Sequence, residues 1–343
     1  MRRWTGRRWR SSVLSSVIAV VSAFGIGALI IRAAGYDAGV ALGALLDGAG
    51  GSWYSLSETL LRSCPLLLTG LAVAFAFRCG AWNIGAEGQF LVGALAAAWA
   101  GPHCDGWPGY VATPFLLLLG ACCGSIWGGI AGLLRVRRRV QEVISTIMLN
   151  FVAIQLVSYA VHGPLMESTG QFPQTSPIAE AARLTRWFPP TRLHAGVFLA
   201  ALCAGLLHVL LFRTVFGYAV RAVGLNATAA RSAGIDVPMT VLGAMCVSGG
   251  LAGLAGAVEL SGITYRLYED FAGGYGYTAI AVALLGRLHP AGVVFSALLF
   301  GALETGASGL QRTAGISSVL VYVIQALILL FVVGASVYER RTR

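Results

Sequence analysis

Long apolar runs, punctuated by arginine, glycine and proline, make up most of the chain. Residues 13–31, 56–77, 90–100, 111–134, 143–161, 195–212, 237–258, 275–286, 291–303 and 313–337 are free or nearly free of charge. A helix crossing the bilayer core needs about 20 such residues. Runs 90–100 and 275–286 are too short to cross alone. They predict tilted partial helices, or helices broken inside a bundle. The pattern predicts an all-α polytopic membrane protein. It has about ten transmembrane helices, some short or interrupted, in a single transmembrane domain over residues 13–337. The longest exterior loop, 163–192, carries five prolines and has room for a short surface helix near 178–187. It is too short to be a binding domain.

Composition sharpens this reading. Apolar residues make up 57% and charged ones 11%, against roughly a quarter charged in soluble domains. Mean hydropathy is +0.76. A disordered chain, a nucleic-acid module and an ordinary cytosolic enzyme are excluded. All 24 basic residues are arginine. There is neither a Walker A lysine nor a Schiff-base lysine, so any ATP hydrolysis belongs to another polypeptide. The net charge of +10 fits arginine-rich cytoplasmic loops. With both termini inside and ten crossings, 17 arginines face the cytoplasm and seven face outside. The positive-inside rule therefore makes the basic stretch 1–12 and the tail 338–343 cytoplasmic. The first run reads as a span rather than a cleaved leader, by its length and the lack of a clear cleavage site.

The seven cysteines show no CxxC or Cys/His metal spacing. Cys104 alone falls in an exterior loop, and the others read as small packing residues. No HExxH, Asp-rich pair or GxSxG elbow occurs, and the five histidines are scattered, so no catalytic or metal residues are assigned. Gly120, Gly124, Gly128 and Gly132 repeat every four residues, and Gly249, Gly253 and Gly256 nearly so. Such ladders let helix backbones approach closely, either within one bundle or at a dimer or sliding surface.

Four segments carry candidate chemistry. In 79–90 (CGAWNIGAEGQF), Asn83, Glu87 and Gln89 sit among Gly80, Gly85 and Gly88 between apolar runs. This is either a helix break near the membrane midplane, where transporters place solute sites, or a cytoplasmic turn. In 142–150 (EVISTIMLN), Thr146 and Asn150 share a helix face. An amide in an apolar helix either bonds a neighbouring helix or faces a pathway. In 213–236, Asn226 is a good N-cap, 227–233 is rich in helix formers, and Gly234 suits the C′ position before Ile235. That describes a short self-capped helix outside the membrane, with Arg231 on it to meet a partner, or simply a tidy loop. In 273–290, a glycine-rich entry followed by a short apolar helix describes a second half helix. Its pairing with 90–100 hints at an internal architectural repeat.

The motifs at 83–89 (NIGAEGQ), 142–150, 224–235 (GLNATAARSAGI) and 279–287 (AIAVALLGR) occur in family order. Through them the chain resembles the permease subunit of bacterial ABC importers, in the ribose, branched-chain amino acid and nucleoside permease group. It is most similar to the nucleoside branch, over about 60–333. The resemblance implies a bacterial inner-membrane permease paired with itself or a related chain. It implies a cytoplasmic ATP-binding subunit docked on the segment holding Gly224, Asn226, Ala230, Arg231 and Gly234. It also implies a periplasmic solute-binding lipoprotein, and ATP and Mg held by the ATPase rather than by this chain. Ala81-Trp82 and His289 depart from the family pattern.

Charge is scarce in the apolar runs, which favours a neutral polar solute. The expected pathway residues are Asn83, Glu87, Gln89, Thr146, Asn150, Tyr277 and Thr278. Trp82, Phe90, Phe271 and Tyr275 either stack on the solute or anchor at the interface. These features favour a nucleoside or simple sugar moved by alternating access. The alternative is an ion-coupled carrier or channel using Glu87 or Glu304.

Overall fold

In the computed structural model, the backbone is described for residues 6–341 and side chains for 18–334. The basic end at Arg2 and Arg3, the side chains of the rest of 1–12, and those of the tail 338–343 lie outside the described residues. Every regular element among the described residues is helical. In chain order these are α1 (Gly6–Ala33), α2 (Ala38–Gly50), α3 (Trp53–Arg78), α4 (Ala86–Ala100), α5 (Gly109–Arg138), α6 (Glu142–His162) and α7 (Gly196–Arg213). Then come α8 (Val215–Leu225), α9 (Ala227–Ser232), α10 (Val237–Glu259), α11 (Tyr275–Leu285), α12 (Pro290–Ala314) and α13 (Val319–Arg341).

Six helices among the described residues are long and apolar enough to cross a membrane: α3, α5, α6, α7, α10 with its π extension Leu260–Thr264, and α12. Shorter apolar helices accompany them. Each of the ten apolar runs forms helix. The structure adds α2, which the hydropathy pattern passes over. Its 13 residues give only about 20 Å of rise, and Asp47 interrupts their apolar character. Asp37 starts it, its Oδ1 accepting from Gly39 N at 2.7 Å and Val40 N at 3.0 Å. Helix α12 continues to Ala314, so Thr313 closes one helix rather than opening the next.

The chain divides into two compact units, residues 1–63 with 298–343, and residues 64–297. In the first, small residues set the helix crossings. A Cβ at Gly48 of α2 would meet Gly306 and Gly309 of α12, and one at Gly27 of α1 would meet Ile324 of α13. Thr59 Oγ1 donates to Ala49 O at 2.7 Å, closing α2 onto α3.

The second unit is built on α4, α5 and α10. The two glycine ladders face each other inside the chain. A Cβ at Gly124 would strike Gly249 O and Gly253, one at Gly253 would strike Gly120 O, and one at Gly93 of α4 would strike Gly253. The ladders therefore serve packing within this unit, where backbones approach too closely for any side chain.

Segment 163–195 forms no surface α-helix near 178–187. It holds one 3-10 turn, Glu180–Ala182. The backbone is instead stitched to the π turn and to Tyr265 and Leu267 just beyond it. Thr175 N donates to Leu267 O, Ile178 N to Tyr265 O and Leu184 N to Ser261 O, all at 2.8–2.9 Å. The Leu184 N–H that a helix over 178–187 would need is bonded to Ser261 O instead, and Pro177, Pro189 and Pro190 bound the stretch. Cys104 is buried, its thiol turned to Ala100 O, rather than exposed in a loop.

Candidate functional site

Helix α3 ends at Arg78, and the chain leaves helix at residues 81–84 before α4 begins at Ala86. Arg135, at the end of α5, marks this end of the unit. Its Nη1 donates to Gly80 O at 3.2 Å and to Glu142 Oε1 at 2.8 Å. Trp82 N donates to the same carboxylate oxygen at 3.4 Å. Helix α4 then runs to the opposite end, where Ala179 N donates to Gly101 O. The polar segment 79–85 thus re-enters the unit from the arginine-rich end, and is not a turn outside the bundle.

The second half helix comes from the other direction. Residues 265–274 descend from the π turn, and α11 begins at Tyr275. It ends near Leu288, whose carbonyl accepts from Arg78 Nε at 3.0 Å. The N-termini of α4 and α11 therefore meet inside the unit. Fifteen and eleven residues correspond to about 22 and 16 Å of helix, so each covers only part of a core roughly 30 Å thick. The paired interrupted helices read from the sequence are present.

Glu87 joins the two ends. Its Oε1 accepts from Gly274 N at 3.0 Å and its Oε2 from Gly276 N at 2.6 Å. A carboxylate at a helix N-terminus satisfies N–H groups that have no partner within the helix and complements the helix dipole. No side chain fits at 276, because a Cβ there would collide with Glu87 N and Cα.

The other predicted polar residues enclose the break. Asn83 Nδ2 donates to Gln89 Oε1 at 2.9 Å and to Ser248 Oγ of α10 at 2.8 Å. Its Oδ1 accepts from Gly85 N at 2.9 Å and Gln89 Nε2 at 3.1 Å. Ser248 passes the chain on, donating to Ala72 O at 2.6 Å. Asn150 of α6 accepts from Gly88 N at 2.8 Å and donates to Ile84 O at 2.9 Å. Thr146 Oγ1 accepts from Ile84 N at 3.3 Å while donating to Glu142 O at 2.7 Å. Asn83, Gln89, Thr146 and Asn150 are all fully buried. They supply the partners that an unwound backbone needs in a low-dielectric interior.

Tyr277 is exposed, with its hydroxyl 3.4 Å from Asn150 Nδ2. Thr278 lies beside it but outside the side-chain network. Phe90 and Phe271 are buried, stacked with ring centroids 5.7 Å apart, and present no free face. Trp82 is exposed beside Phe77.

A recess of about 250 Å³ opens beside the meeting point of the half helices. Its lining includes Glu87, Leu91, Ile154, Ser158, Glu269, Asp270 and Gly274. Ser158 Oγ donates to Glu269 Oε1 at 3.1 Å. Ser248, Ser158, Glu269 and Asp270 escape the sequence reading. A lone polar residue on an apolar helix or in a loop carries no signal of what it will face.

The segment 213–236 forms as its capping residues dictate. Asn226 Oδ1 accepts from Ala229 N at 3.0 Å. Helix α9 closes at Ser232 with Gly234 at φ +83°, and Ile235 N returns to Ala230 O at 3.0 Å. Ala230 is buried, while Ala227, Thr228 and Arg231 are exposed. Gly224, just before it, lies against the end of α3, since a Cβ there would strike Arg78 O. A packed path therefore links α9 through α8 to the chain that enters the break.

Two interrupted helices meeting inside an apolar bundle, with buried amides around the unwound backbone, define a membrane permease. Residues 55–333 match the family described as the branched-chain amino acid transport system / permease component, and the chain belongs to it. It is 39% identical over 331 residues to the guanosine ABC transporter permease protein NupP of Bacillus subtilis, covering 95% of this chain and 94% of that one. It is 35% identical to a glucose ABC transporter permease protein of Haloferax volcanii, over 94% and 88% of the two chains. It is likewise 35% identical to the nucleoside ABC transporter permease protein NupB of Lactococcus lactis, over 95% and 92%. No solved structure matches significantly. The chain is a multi-pass inner-membrane protein and not an enzyme.

Proposed function

We propose that this chain is the transmembrane permease of an ATP-driven ABC importer for nucleosides or simple sugars. Residues 13–337 act as one translocating domain of about ten crossings with both termini cytoplasmic. The arginine-rich end of the second unit, with Arg78, Arg135, Arg137, Arg138, Arg139, Arg213, Arg221, Arg231 and Arg287, then faces the cytoplasm. The chain pairs with a second permease, identical or related. A cytoplasmic ATP-binding subunit, which holds the ATP and Mg, docks on α9 through Gly224, Asn226, Ala230, Arg231 and Gly234. A solute-binding lipoprotein delivers cargo at the opposite end. Nothing in this chain needs a cofactor.

One observation carries the reading: the Glu87-capped meeting of α4 and α11 beside the recess. The recess offers hydroxyl and carboxylate acceptors to a solute rich in N–H and O–H donors. Glu87, Asn83, Gln89, Thr146 and Asn150 hold the break in shape, and Tyr277 and Thr278 lie where solute passes. When the ATPases close, α9 moves with them, and Gly224 against Arg78 carries the displacement to the break. The names of the similar permeases support nucleosides and sugars as cargo.

The test is uptake of labelled guanosine and glucose by cells lacking this chain, with and without its return on a plasmid. Restored, ATP-dependent and mutually selective uptake is expected. Uptake driven by an ion gradient, with no ATPase present, overturns the proposal.

A further inference from the structure

At the arginine-rich end of the second unit, four charged or titratable side chains converge on one ring. Phe212, in the last turn of α7, has the guanidinium carbon of Arg78 5.8 Å from its centroid and that of Arg221 5.2 Å away. The His208 and His289 rings lie 4.9 and 5.3 Å from it and 5.5 Å from each other. Each arginine is tethered through Nε, Arg78 to Leu288 O at 3.0 Å and Arg221 to Gly217 O at 3.3 Å. These tethers leave out the Nη groups, the fork that grips phosphate.

Among the described residues no carboxylate forms an ion pair with either arginine. Two partly buried cations side by side without a counter-anion are costly. His289 registers the same field. Burial, then Arg78 and His208, hold the His289 pKa below its ordinary value. The outward apolar stripe of α7, formed by Phe198, Leu202, Leu206 and Val209, runs down to this cluster. A ligand suited to the place has an anionic head at the cluster and apolar chains along the stripe.

We propose that Arg78, Arg221, His208 and His289 bind the phosphate of an anionic phospholipid headgroup, in the leaflet that the orientation above makes cytoplasmic. Basic pockets at that level of membrane helices suit such headgroups. Inorganic phosphate shares the charge but leaves the stripe uncovered.

The detergent-purified full chain is titrated with phosphatidylglycerol, phosphatidylcholine and inorganic phosphate, and retained ligand is read by native mass spectrometry. Saturable binding of phosphatidylglycerol is expected, tighter than that of phosphatidylcholine by about tenfold or more. The pair Arg78→Gln with Arg221→Gln loses that preference. The pair Arg137→Gln with Arg138→Gln removes the same charge from exposed positions and keeps it. Equal binding of the two lipids, an unchanged preference in the first pair, or equal loss in both pairs overturns the proposal. So does inorganic phosphate that displaces the lipid at comparable concentration. Lipid binding unchanged with loss of the co-purified ATP-binding subunit makes the cluster a protein contact instead. Should the first pair not fold, Arg221→Gln alone and the lipid comparison on the parent chain decide.

Discussion

The Glu87 carboxylate accepts the Gly276 N–H at 2.6 Å, across 189 residues of chain. That bond ties the first turn of α4 to the first turn of α11, at the point where both half helices begin.

Removing this tie should stop transport without preventing membrane insertion. Glu87→Ala leaves the Gly274 and Gly276 N–H groups unanswered, at a cost of about 1–3 kcal/mol. Glu87→Gln keeps one acceptor and should retain partial uptake. Gly276→Ala should resemble Glu87→Ala, because a Cβ has no room there. Uptake rate and thermal unfolding in detergent are the measurements. Parent-rate uptake by Glu87→Ala excludes the tie as part of the gate.

The glycine faces make a sharper stability test. Gly253→Val should be among the most damaging changes in the chain, since even a Cβ meets backbone of α5. Gly250→Ala, on the neighbouring face of α10, meets only Ala121 O at 3.4 Å and the Ser125 Cβ at 3.6 Å. It should shift stability by no more than about 0.5 kcal/mol. Detergent melting curves of the two variants separate a backbone contact from ordinary packing.

Coupling should depend on the integrity of α9. Asn226→Ala removes its N-cap, worth about 1 kcal/mol, and Asn226→Asp preserves an acceptor. With the ATP-binding partner present, solute moved per ATP hydrolysed should fall in the alanine variant. It should fall further when Arg231→Ala is added. An unchanged ratio in that double variant removes α9 from the coupling path.

His194 makes stability depend on pH. Burial, and then Arg186, lower its pKa to about 4. Its Nδ1 accepts from Gly196 N at 3.1 Å, which fixes the neutral tautomer with the proton on Nε2. The unfolded chain binds a proton near pH 6.5, whereas the folded chain resists it down to about 4. The contribution is therefore complete above pH 6.5 and declines as pH falls toward 4, by an amount on the order of 3 kcal/mol. Melting temperature across that window should drop for the parent and drop less for His194→Gln.

The positions of the helices, α2 and α8 excepted, were legible in the sequence, because hydropathy over about 20 residues is a local sum. Helix α9 was legible for the same reason: Asn226 and Gly234 act on backbone within a few residues of themselves. The short runs 90–100 and 275–286 announced interrupted helices by length alone. What stayed hidden was pairing. Asn83 meets Ser248 across 165 residues, and Glu142 steadies both Arg135 and Trp82. Of the two uses open to the glycine ladders, only the packed fold selected the one inside the chain. Of the polar residues expected along the solute path, Glu87 lines the recess, together with Ser158, Glu269 and Asp270, while Asn83, Gln89, Thr146 and Asn150 are engaged with backbone or with one another. Composition and spacing determine where a chain can enter a membrane and where it must break. Which polar atom answers each freed backbone group depends on contacts between distant segments, and those exist only once the helices have packed.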